Sequence, residues 1–116
     1  MRLIWIAGVV HALIGGAVLF LTLHPLRDAL DAHALEFVRV GSAWQALQGL
    51  VLMISAIGTK ARLASLLIAA GTTASMAMFY FIAFTGERPP VIVLVPIGGG
   101  ISFLGLLALA LARPAR

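Results

Sequence analysis

Apolar residues run almost unbroken through four stretches, residues 3–23, 40–57, 63–85 and 91–112, and the charged residues gather in the gaps between them. A helix needs roughly 20 apolar residues to cross a bilayer, because about 1.5 Å of rise per residue must cover a hydrocarbon core of about 30 Å. The pattern therefore predicts four crossings and an all-α fold, an integral membrane four-helix bundle formed as one domain over residues 1–116. The first gap has a different rhythm. Leu26, Leu30, Ala34 and Phe37 recur at helical spacing, Asp28, Asp31 and Glu36 fall opposite them, and Pro25 suits a first helical position. That pattern predicts a short interfacial amphipathic helix over residues 25–37, between the first and second crossings.

Within the apolar stretches the polar exceptions matter most, since lipid cannot satisfy them. Gln45 and Gln48 lie three apart in the second stretch, so both amides share one helix face and must meet other helices. His11 is the one ionisable side chain deep in any stretch. It reads either as a neutral imidazole bonded to another helix or as a proton-relay or ligand group; a single histidine cannot ligate a haem between two helices. Tyr80, in the Met and aromatic end of the third stretch, can reach a polar partner. His11, Gln45, Gln48 and Tyr80 thus form the candidate intramembrane polar cluster.

Small residues supply the candidate packing faces. Gly8, Ala12 and Gly16 form a ridge at four-residue spacing, beside a row of Ala7, His11 and Gly15. In the fourth stretch Pro96 removes the amide that would bond to the Ile92 carbonyl, and Gly98 and Gly99 follow, so a kink or locally opened turn and a glycine packing face are expected there. Trp44 is expected in the interfacial belt at the outer end of the second crossing, and Gly58 offers a helix stop.

Composition fits this picture: 62% of residues are hydrophobic and 10% charged, well outside the range of soluble domains. The formal charge of +4 is scattered over helix ends and forms no basic patch, which argues against a nucleic-acid partner. Four crossings put Arg2, Lys60, Arg62, Arg113 and Arg116 on one side. Arg27, Arg39 and Arg88 fall on the other with Asp28, Asp31, Glu36 and Glu87. The positive-inside rule then places both termini in the cytoplasm. Arg2 before an apolar run resembles a signal peptide, but the run is long and lacks a small-residue cleavage site before His24, so a retained first helix is expected. The absence of cysteine removes disulfides and thiolate chemistry. His24 with Asp28 and His33 with Glu36 have metal-compatible spacings that any amphipathic helix of this composition produces, and no metal site or cofactor is expected.

The order of motifs resembles the small four-helix membrane proteins of domain-of-unknown-function family 423, whose animal relatives are called transmembrane protein 256. The residues that carry the likeness are His24-Pro25-Leu26-Arg27, Trp44-Gln45-Ala46-Leu47-Gln48, Tyr80 with Phe84-Thr85-Gly86, and Pro96-Ile97-Gly98-Gly99. The family pattern has tyrosine at the position of Trp44, histidine at Gln48 and Ser-Gly-Ser at Met76-Ala77-Met78. The resemblance implies a multi-pass protein of the bacterial inner membrane and carries no activity to transfer.

Nothing in the chain resembles a nucleophile with its base, a phosphate-cradling loop or a paired carboxylate site, so no enzyme is expected. The leading expectation is a structural or accessory component that packs through its small-residue faces with itself or a larger membrane complex, the lipid bilayer being its other partner. The alternative is a small transporter, or a lipid- or quinone-binding protein using His11, Gln45 and Gln48.

Overall fold

A computed structural model describes residues 1–114. It is all-helical: α1 spans Arg2–Leu21, α2 Pro25–Ala29, α3 Ala32–Gly58, α4 Arg62–Thr85 and α5 Leu94–Leu111, with a 3-10 turn over Pro90–Val93 leading into α5. α1, α3, α4 and the run Pro90–Leu111 are each long and apolar enough to cross a membrane.

The expected interfacial helix over residues 25–37 is split. Only α2 forms at its start; Leu30 is extended, and Asp31 begins a new helix that runs without interruption into the second crossing. The reason is local. Asp31 Oδ1 accepts a hydrogen bond of 2.7 Å from the Ala34 amide, and an aspartate N-cap offers the chain a better-satisfied start than a continued α2 does. Arg39, which the sequence pattern assigns to a loop, is instead tolerated inside α3. Its guanidinium reaches back to the end of α1, donating to the Thr22 carbonyl at 3.2 Å and to Thr22 Oγ1 at 3.4 Å. A cation at a helix C-terminus satisfies carbonyls that the helix leaves free and matches its dipole.

The helices associate as two antiparallel pairs in backbone contact. In the first pair a methyl group built on Gly8 would stand 2.7 Å from the Gly49 carbonyl oxygen, and one on Gly15 would stand 2.6 Å from that of Ser42. In the second pair, Gly98 and Gly71 face each other, each with its Cβ position within 2.6 Å of the other's carbonyl oxygen, and Gly105 abuts Ala64. Any side chain at these positions would push the helices apart. The ridge on α1 is therefore Gly8, Ala12 and Gly15, not Gly8, Ala12 and Gly16: nothing lies within 4 Å of the Gly16 Cβ position. A straight four-residue row drifts around a helix of 3.6 residues per turn, so the contact steps from four to three. α4 joins the pairs by packing on both α3 and α5, and it also touches α1.

Of the kink or locally opened turn expected near Pro96, no helix break falls at Pro96 itself. Pro96 falls in the first turn of α5, where a missing amide removes no intrahelical bond, and the backbone irregularity lies before it in the 3-10 turn. Gly86, left-handed at φ 72°, closes α4.

Candidate functional site

The polar residues of α1, α3 and α4 meet in one string. Tyr80 Oη donates to Gln45 Oε1 at 2.6 Å, and Gln45 Nε2 lies 3.0 Å from His11 Nδ1. On its other side, His11 Nε2 lies 3.0 Å from Thr73 Oγ1, which donates to the Ala69 carbonyl at 2.7 Å. An amide nitrogen can only donate, so His11 Nδ1 must accept. The neutral imidazole then carries its proton on Nε2 and donates it to Thr73, and all four bonds run in one direction from Tyr80 to Ala69. His11 and Gln45 are buried.

Of the residues expected to cluster, His11, Gln45 and Tyr80 come together. Gln48 does not join them through its carbonyl: the residue is 2% exposed, and its Oε1 is a buried atom without a partner. Thr73 takes the place beside His11. The sequence signal for Thr73 is its position two helical turns before Tyr80, which puts both on the α4 face that meets α1 and α3. The other glycine candidates divide: Gly98 is in the α4–α5 contact, whereas the Cβ direction of Gly99 is open.

Other buried hydroxyls are satisfied locally. Thr72 Oγ1 and Ser102 Oγ pair at 3.1 Å across α4 and α5, Ser75 donates to the Val95 carbonyl at 2.9 Å, and Ser65 and Ser55 lie 3.0 Å apart across α4 and α3. His24 with Asp28 and His33 with Glu36 gain no third ligand, and no group of three metal-compatible side chains occurs among the described residues.

A surface groove lies elsewhere. It has a volume of about 500 Å³ and is walled by Val40, Gly41 and Trp44 of α3 on one side and Val95, Gly99 and Phe103 of α5 on the other, with Met76 and Phe79 of α4 as its floor. Trp44, expected at a helix end, stands about 18 Å into α3 by helical rise, because α3 starts at Ala32. Phe37 stacks on Phe79 at the mouth, ring centroids 4.9 Å apart and nearly parallel.

Fold and site together define an all-helical protein with four helices of membrane-spanning length and a closed polar string among three of them. No protein-family model matches the chain and no solved structure matches it.

Proposed function

We propose that this is a multi-pass protein of the bacterial inner membrane, both termini cytoplasmic, acting as an accessory component that offers outer helix faces to neighbours in the bilayer. What supports the membrane reading is an inversion of burial. Among the described residues seven hydrophobic side chains are buried against ten polar ones, while Leu3, Leu47, Ile57, Leu63, Leu107 and Leu111 are each more than 60% exposed. Water would penalise that surface heavily, whereas hydrocarbon accepts it and drives the polar groups inward. α3, at 27 residues and about 40 Å, overshoots a hydrocarbon core of about 30 Å. Its first two turns, with His33, Glu36 and Arg39, then lie among head groups.

The accessory role draws support from how the interior is used. His11, Gln45 and Tyr80 already bond one another, and a quinone head group or a transported solute would have to break those bonds to use them. Most of the small residues expected to pack against a partner are turned inward against the chain's own helices, so partner contacts fall on the large apolar side chains outside. Native mass spectrometry and crosslinking in mild detergent test this reading: an associated protein or a defined oligomer is expected, and a strictly monomeric chain without partners contradicts it.

The transport reading has one observation in its favour, the position of the neutral His11 within a directional string across three helices. Proteoliposome flux with native protein and His11→Ala tests it. A flux lost in the variant would establish transport, and no flux in either would end it.

A further inference from the structure

The basic end of the bundle holds a cleft far from the groove. Arg2 opens α1 and Arg62 opens α4, and the two helix starts stand side by side around a cavity of about 310 Å³. Its lining is of two kinds. Arg2 and Arg62 come from different helices, while Leu3, Ile4 and Leu66 supply an apolar wall. Leu3 is 80% exposed and Leu66 55%, so that wall continues onto the outer faces of both helices.

No carboxylate neutralises the two cations. Neither α1 nor α4 has an acidic residue in its first turn. The chain's four acids, Asp28, Asp31, Glu36 and Glu87, lie at the opposite end, around α2, the start of α3 and the end of α4. The ion pair between Arg27 and Asp28, also at that end, is the one formed among the described residues. Two guanidiniums beside an apolar wall complement a ligand with a phosphate at one end and hydrocarbon at the other. Guanidinium binds phosphate through paired N–H donors, and basic pockets between helices at a membrane surface take phospholipid head groups. The charge balance selects among head groups. An ethanolamine or choline group brings a cation to an end with no acid to meet it, whereas a glycerol group leaves the phosphate charge to the arginines. A nucleic acid or an acidic peptide would match the guanidiniums and make no use of the leucines.

We propose that this cleft binds one anionic phospholipid of the phosphatidylglycerol type, its phosphate between Arg2 and Arg62 and an acyl chain running past Leu3 and Leu66. The site rests on the membrane placement proposed above, but not on which side of the membrane the termini face. Lys60 supplies the control. It is exposed and carries the same charge at the same end, yet it is outside the cleft lining.

The full-length chain is reconstituted into nanodiscs holding equal parts phosphatidylglycerol, phosphatidylethanolamine and phosphatidylcholine, and released lipid–protein complexes are counted by native mass spectrometry. Native protein and Lys60→Gln should each retain one phosphatidylglycerol in preference to the other two lipids. Arg2→Gln and Arg62→Gln, both changes of exposed side chains, should each lower that preference about tenfold, the loss expected for one charge-assisted bond. Equal retention of the three lipids, or undiminished preference in both arginine variants, would overturn the site alone. So would an equal loss in Lys60→Gln, which would mean diffuse attraction to the basic end, or a second copy of the chain in place of the lipid. A chain that fails to enter the discs would overturn the membrane placement as well.

Discussion

The two helix pairs solve the same packing problem with different chemistry at their seams. α1 against α3 and α4 against α5 are both antiparallel, and in both a glycine lets backbone meet backbone at distances no side chain permits. Where the first pair meets α4, it adds a string of four hydrogen bonds through an imidazole, an amide, a phenol and a hydroxyl; the second adds short hydroxyls, Thr72 with Ser102 and Ser75 with the Val95 carbonyl. Glycine contacts are common to both pairs, so the long side chains in the string are what distinguishes the first. They tie α4 to the first pair and fix which face it presents.

That comparison orders the expected effects of substitution. The largest belong to the shared device: Gly49→Leu and Gly98→Leu should each lower stability in mixed-micelle unfolding by about 3 kcal/mol or more, since the clash is with backbone. Near-native stability of either variant would show that the pairs are not held by close approach. Gly100→Leu should leave the midpoint unchanged.

Next comes the string. Gln45→Leu strands both the Tyr80 hydroxyl and His11 Nδ1, and should cost about 1–2 kcal/mol in the same unfolding assay. On the other seam Thr72→Val should cost only about 0.6 kcal/mol, because Ser102 can turn to a carbonyl of its own helix. Equal losses for the two would erase the distinction between the seams. In the ¹⁵N spectrum of the neutral His11 ring, Nε2 should carry the proton; protonation at Nδ1 would mean that the Gln45 amide is reversed.

The four long helices and the inward turn of His11, Gln45 and Tyr80 were legible in the sequence, because hydrocarbon leaves such groups no choice but another helix. The second partner of the imidazole was less so. Gln48 and Thr73 are both polar and near the same level, and the choice between them depends on the rotation of α4 about its axis. The break at Leu30 and Asp31 was missed because an apolar period continued through it while a single capping carboxylate decided the backbone. Pro96 misled in the opposite way. Its effect depends on its distance from the helix start, and the 3-10 turn moved that start to Leu94. Pro96→Ala should accordingly change stability by no more than about 0.5 kcal/mol, the smallest effect in the series; a larger gain would reveal strain at a kink. The groove lined by α3, α4 and α5 had no sequence signature, since its walls come from helices far apart in the chain.

The central claim is that hydrocarbon surrounds the outer faces of these helices. The chain has no cysteine, so single-cysteine variants in sealed inner-membrane vesicles report on it directly with a membrane-impermeant maleimide. Leu47→Cys and Leu107→Cys, on exposed helix faces, should label only after denaturation, Lys60→Cys should label from the cytoplasmic side, and Glu87→Cys from the opposite side. Ready labelling of Leu47→Cys and Leu107→Cys in intact vesicles would contradict the account.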